Sequence, residues 1–266
     1  MPATVNLKNV SIILSRPRYP ENIGAAARVM RNMGCEQLIV VDPQNCDLSR
    51  ILKMATHAAI EVVEQMQVYE DLQTALEPLN YIVGTTARLG GQRQLVGSAV
   101  GLAQKLAPIS EKNRVGLLFG PEDRGLTNAD IRLCHELVNI PTAEFSSLNL
   151  AQAVMVVSYA LFTSRLVQPV AFTPRLANRH ELDGMYEQLK EILVRISYIN
   201  ADNPDHFINS LRRFFTRLQL RAKEVSMIRG IIRQVNWYAE KRYQDGREDQ
   251  GLRVDGLEGS RGKTRV

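Results

Sequence analysis

The chain holds 266 residues, 45% of them hydrophobic and 23% charged, enough to bury a core without disulfides or a structural metal. No apolar run approaches the ~20 residues that cross a bilayer, the first residues lack the basic-then-apolar layout of a signal peptide, and Cys35, Cys46 and Cys134 show no CxxC spacing. A membrane protein, a secreted disulfide scaffold and a zinc module are thereby disfavoured, and the expected home is the cytoplasm. The net charge of +5 is unevenly spread: residues 1–169 carry 15 basic and 15 acidic side chains, so the whole excess lies after them. A polyanionic partner for the C-terminal part follows as a first expectation.

In chain order, the apolar runs 10–14 (VSIIL), 38–41 (LIVV), 81–83 (YIV) and 115–119 (VGLLF) are bounded by turn residues and predict buried strands. Residues 137–140, ahead of Pro141, predict another. Between them, 22–33 shows helical spacing of Ile23, Ala26, Ala27, Met30 and Met33, with Gly34 closing the helix. Residues 71–79 and 98–106 predict shorter helices, and 149–166 a long apolar one with Asn149 as its capping residue. Such alternation calls for a mostly parallel α/β sheet covered on both faces.

The stretch 168–174 carries two prolines and no period. Beyond it only helical spacing remains, over 180–196, 204–218 and 222–242. The last two dozen residues hold five glycines and few apolar anchors and are expected to be disordered. The division is therefore a main domain over 1–167, a linker over 168–178, a small all-helical module over 179–242 and a tail over 243–266.

Three segments carry polar and glycine residues that suit chemistry at strand ends. In Asn22-Ile23-Gly24-Ala25-Ala26-Ala27-Arg28, Glu21 or Asn22 could cap the helix, and the small residues thin its start for a ligand or another backbone. The loop Phe119-Gly120-Pro121-Glu122-Asp123-Arg124-Gly125-Leu126 has two glycines for tight geometry and Glu122 as an acceptor for amides or an arginine. It is neither GxGxxG nor a P-loop, which counts against a dinucleotide-dependent dehydrogenase. Ser146, Ser147 and Asn149 open the most apolar helix, and Thr85-Thr86-Ala87-Arg88 follows a strand. Each segment taken singly also reads as an ordinary capped helix or strand–turn–helix connection. The four histidines show no ligand spacing, so no metal is expected.

Together, Asn22-x-Gly24-xxx-Arg28, Phe119-Gly120-x-Glu122-xx-Gly125-Leu126 and Ser147-Leu148-Asn149 resemble the three motifs of the SpoU branch of the SPOUT RNA methyltransferases, over about residues 8–166. Thr85–Arg88 and the Leu211-Arg212-Arg213-Phe214-Phe215-Thr216-Arg217 segment are similar to the TrmJ-type tRNA (cytidine/uridine-2′-O-)-methyltransferases. The resemblance implies an α/β fold with a deep C-terminal trefoil knot, a homodimer with its active sites at the knot interface, and S-adenosylmethionine as cofactor. It assigns cofactor contacts to Thr85, Thr86, Ala87, Gly120, Ile140, Ser146, Ser147 and Leu148, and the catalytic pocket to Asn22, Arg28, Glu122 and Asn149. Arg28 is the family's candidate for deprotonating the ribose hydroxyl. A guanidinium keeps its protons in proteins, so Arg28 is read instead as stabilising the developing alkoxide and gripping a phosphate, with Glu122 orienting it.

The implied activity is 2′-O-methylation of tRNA, at position 32 of the anticodon loop. The alternatives are another ribose, in ribosomal RNA or the tRNA D-loop, and a non-catalytic knotted RNA-binding factor. Arg212, Arg213, Arg217, Arg221 and Lys223 lie within twelve residues that contain no acid and form the expected RNA footprint. Arg16, Arg18, Arg88 and Arg93 are its candidates nearer the pocket.

Overall fold

The structure is a computed structural model that describes residues 4–86, 95–96, 98–143, 148–164 and 174–258, with residues 95–96 and 242–258 described by backbone alone. Ala87, Arg88, Arg93, Ser146 and Ser147, all candidate site residues, lie outside the described residues.

Seven strands, β1 (Val10–Ser15), β2 (Gln37–Val41), β3 (Gln67–Tyr69), β4 (Tyr81–Thr86), β5 (Leu95–Val96), β6 (Val115–Phe119) and β7 (Glu136–Asn139), form one sheet in the order β3-β2-β1-β6-β4-β7-β5. Every pairing is parallel, with Val10 opposite Val115, Tyr81 opposite Val115, and Thr86 opposite Asn139. Strand alternation divides the core: Val10, Ile12 and Leu14 enter one apolar cluster, and Ile13 enters the cluster on the other face. Strand β7 lies between β4 and β5 although it follows both in the chain. The sheet order reverses at β1 and β6, and in such sheets ligands bind outside the carboxyl ends of the strands at the reversal.

The helices of the main domain are α1 (Pro20–Met33), α2 (Leu48–Ala55), α3 (Ile60–Glu64), α4 (Leu72–Leu76), α5 (Ala99–Ser110), α6 (Asn128–Arg132) and α7 (Leu150–Thr163). Helix α1 starts at Pro20, with Tyr19 in the N-cap position and no side-chain cap bond, so neither Glu21 nor Asn22 caps it. The thin start of α1 serves another backbone: a Cβ at Gly24 would sit 2.1 Å from the Ile51 carbonyl oxygen of α2. Asn149 caps α7 as expected, accepting from the Ala151 amide at 2.9 Å, while the Gln152 side chain accepts from the Asn149 amide.

The C-terminal module comprises α8 (Arg179–Arg195), α9 (Pro204–Leu218) and α10 (Ala222–Glu258) around its own apolar cluster, which includes Met185, Tyr186, Ile208 and Val225. The end of the expected linker is not loose, because Leu176 is buried and bridges to Arg221. The module is tied to the residues that precede β4 and β6. Asn80 Nδ2 donates to the Leu176 carbonyl (2.8 Å), and the Leu176 amide donates to Asn113 Oδ1 (2.7 Å). It therefore docks at the end of the sheet opposite the strand carboxyl ends. Helix α10 continues to Glu258, across most of the stretch expected to be disordered. Once nucleated by packing on α8, a helix gains a backbone bond with each added residue, and isolated glycines weaken it by only ~1 kcal/mol each.

Candidate active site

Two loops meet at the sheet's reversal, one leaving β1 and one leaving β6. The β6 loop closes on itself. Gly125 has φ of 67°, and a Cβ at Gly120 would fall 2.3 Å from the Gly125 carbonyl carbon, so only glycine fits there. This fold presents Glu122 to the start of α1. Glu122 Oε1 accepts from Asn22 Nδ2 at 2.6 Å, and Oε2 accepts from the Arg18 amide at 3.0 Å. Asn149 Nδ2 in turn donates to Asn22 Oδ1 at 2.8 Å. Three of the four candidate catalytic residues thus form one hydrogen-bonded chain that joins the first turn of α1, the β6 loop and the start of α7. Asn22 is half-buried, as is Glu122, while Asn149 is exposed.

Arg28 stands apart from this chain. It is exposed on α1, six residues and ~9 Å of helix rise beyond Asn22, and makes no hydrogen bond or ion pair among the described residues. Both Glu122 oxygens are occupied elsewhere, so Glu122 orients Asn22 and the β1 loop rather than Arg28.

The candidate cofactor residues fall at three neighbouring strand ends: Thr85 and Thr86 complete β4, Gly120 follows β6 and Ile140 follows β7. Thr85 Oγ1 donates to the Leu118 carbonyl (3.2 Å), and Asn139 Nδ2 donates to the Thr86 carbonyl (2.9 Å). Leu148 precedes the cap of α7. These residues line one continuous edge at the carboxyl ends of β6, β4 and β7, where parallel sheets bind ligands.

The candidate RNA-binding arginines divide. Arg16 forms an ion pair with the buried Asp130, and Arg18 pairs with Asp123 at 3.1 Å. Arg212 is drawn into the module, 3.0 Å from Asp183 and 3.6 Å from Glu187, with its guanidinium 4.8 Å from the Tyr186 ring centroid. Arg213, Arg217 and Arg221 are exposed. Among the described residues no group of histidines, cysteines and carboxylates is placed to hold a metal, and no helix is long and apolar enough to cross a membrane.

Asp130 and Asn139 were not singled out from the sequence. Asp130 had a readable signal in Thr127-x-x-Asp130, a capping box that the structure forms at α6. Asn139 had none, because its role depends on the neighbouring strand.

Residues 9–159 match the SpoU rRNA Methylase family, and residues 180–248 match the C-terminal domain of the tRNA methyltransferase TrmJ. The tRNA (cytidine/uridine-2′-O-)-methyltransferase TrmJ of Pectobacterium atrosepticum is 32% identical over 235 residues, covering 86% of this chain and 97% of that protein. The tRNA (cytidine/uridine/adenosine-2′-O-)-methyltransferase TrmJ of Pseudomonas aeruginosa is 30% identical over 246 residues, covering 85% and 93%. The crystal structure of TrmJ from Z. mobilis ZM4 superposes with a TM-score of 0.73 at 30% identity, covering 85% of this chain and 98% of that one. The chain belongs to the SpoU methylase family and, within it, to the TrmJ type.

Proposed function

We propose that the chain methylates the ribose 2′-hydroxyl of a cytidine or uridine in tRNA, at position 32 of the anticodon loop, as a cytoplasmic homodimer using S-adenosylmethionine. The observation that carries this reading is the Asn149–Asn22–Glu122 chain at the sheet's reversal, next to the carboxyl ends of β6, β4 and β7. The cofactor supplies an activated methyl group on a sulfonium. Thr85, Thr86, Gly120, Ile140 and Leu148 would hold it, together with Ala87, Ser146 and Ser147.

A ribose hydroxyl is a weak nucleophile until its proton begins to leave, so the site's task is alignment and stabilisation of negative charge. Arg28, a cation with no internal partner among the described residues, is free to meet the hydroxyl and its neighbouring phosphate. Asn22, its amide fixed at both ends, orients the acceptor. The family's trefoil knot belongs to the same reading, and a β7 inserted between two earlier strands is compatible with it. So does the dimer: α7 leaves Met155, Val156, Tyr159 and Phe162 on one exposed face, an apolar strip suited to a second subunit. The exposed Arg213, Arg217 and Arg221 supply phosphate contacts distant from the reacting ribose.

Mass spectrometry of tRNA nucleosides from cells with and without the chain tests the reading. It expects loss of one 2′-O-methylated pyrimidine, mapping to position 32. An unchanged set of methylated nucleosides contradicts it, and a loss confined to ribosomal RNA or the D-loop moves the substrate.

A further inference from the structure

The connection between β1 and α1 is held more firmly than its length requires. Arg16 adopts a left-handed backbone, with φ of 51°, and its side chain is anchored on the buried Asp130. Pro17 and Pro20 are buried. Arg18 is gripped twice, its amide by Glu122 at 3.0 Å and its guanidinium by Asp123 at 3.1 Å. Tyr19 is the most exposed residue of this run, at 50%, while the side chains of Arg16 and Arg18 are partly covered by their acidic partners.

Among the described residues neither packing nor capping accounts for Tyr19. Its side chain makes no cap bond to α1 and enters none of the apolar clusters among the described residues. Its carbonyl accepts from the Asn22 amide at 3.0 Å, which sets the residue one helical turn from the side chain at the centre of the site. The Arg18 guanidinium lies 5.9 Å from the ring centroid and leaves much of the ring open. A rigid backbone presenting an exposed aromatic beside a cation is the arrangement on which unstacked RNA bases rest.

Resting on the RNA reading above, we propose that Tyr19 is a stacking platform for a nucleobase of the RNA substrate beside the ribose to be methylated, and so positions that substrate. The ring, not the hydroxyl, does the work, and stacking tolerates cytosine and uracil alike.

Steady-state methylation of an unmodified tRNA transcript by the full chain tests this. Tyr19→Ala raises KM for tRNA about tenfold, with kcat and S-adenosylmethionine affinity unchanged, and with equal loss on cytidine and uridine substrates. Tyr19→Phe stays close to the parent. Because the chain has a single tryptophan, Trp237, Tyr19→Trp in a Trp237→Phe background gives a reporter whose fluorescence is quenched as tRNA is added. That titration needs no turnover, so it decides the platform even where the parent fails to methylate tRNA, a failure that counts against the functional reading alone. An unchanged KM in Tyr19→Ala, equal damage in the Phe and Ala variants, or an unquenched reporter overturns the proposal.

Discussion

Asn22 donates through Nδ2 to Glu122 Oε1 at 2.6 Å, joining the first turn of α1 to a loop 100 residues away. The same carboxylate accepts the Arg18 amide, so a single side chain fixes both the Asn22 amide and the loop before it. Asn149 completes the chain from the cap of α7. The candidate site is assembled by long-range hydrogen bonds between two helix starts and the loop that follows β6.

Glu122→Ala removes the acceptor of two donors. Leaving them unpaired in a half-buried setting costs about 1–3 kcal/mol, and calorimetry shows a lowered Tm. Methyl transfer falls at least tenfold through kcat, because Asn22 is released. Glu122→Gln retains one acceptor and recovers part of both losses. Equal damage in the two variants would show that charge, not hydrogen-bond geometry, is what matters at Glu122.

Arg28→Ala behaves differently. With no bond to lose among the described residues, the protein keeps its Tm within about 1 °C, since surface changes of this kind are worth at most ~0.5 kcal/mol. S-adenosylmethionine binding, read by titration calorimetry, persists, while methyl transfer is abolished. Activity within tenfold of the parent removes Arg28 from the chemistry.

Acid weakens the joint between the main domain and the helical module. His135 Nδ1 accepts from the Ile82 amide at 3.0 Å, and its ring stacks on Tyr81 with centroids 5.0 Å apart. Desolvation, and next the nearby Arg179 guanidinium, push the imidazole down from 6.5 to about 4. Between those values the unfolded chain binds the proton more tightly than the folded one, so stability rises with pH. The contribution is whole above pH 6.5 and is lost progressively as pH falls toward 4, by up to about 3 kcal/mol. Urea unfolding at pH 7 and pH 5 reads the drop, and His135→Phe flattens it. The same slope in that variant would place the titration elsewhere.

The arginines of α9 separate by substitution. Arg212→Ala destabilises the module, because it leaves Asp183, only 16% exposed, with one fewer cation. Reversal of Arg213 and Arg217 to Glu leaves Tm unchanged, weakens tRNA binding and makes its salt dependence shallower. The loss appears in KM rather than kcat. Intact tRNA affinity after the double reversal reduces this face to solvated surface.

Much of this was legible in the chain. The long strands β1, β2, β4 and β6 show as β-branched runs because a sheet covered on both faces needs apolar residues throughout. Asn22, Glu122 and Asn149 stand out because polar groups at strand ends have no core role. Strands β3 and β5, of three and two residues, and the single-turn helices α3 and α6 show neither a continuous apolar run nor a full periodic stripe. The eight-residue α2 was also not anticipated. Capping of α1 by Glu21 or Asn22 was ruled out by Pro20, which starts the helix ahead of both. The roles of Arg16 and Arg212 were hidden for one reason: a cation's partner, Asp130 or Asp183, is chosen by tertiary packing. Arg212 and Arg213 are neighbours in the sequence, yet one is drawn in by acids of α8 and the other is exposed.

The position of the transferred methyl group tests the central claim most directly. The purified chain is incubated with methyl-labelled S-adenosylmethionine and unmodified tRNA, and the product is hydrolysed in alkali. A ribose 2′-O-methyl group blocks cleavage at its own linkage, so the account predicts label in alkali-stable dinucleotides led by cytidine or uridine, and none from Arg28→Ala. Label recovered in mononucleotides would mean that a base is methylated, and would contradict a site built to activate a ribose hydroxyl.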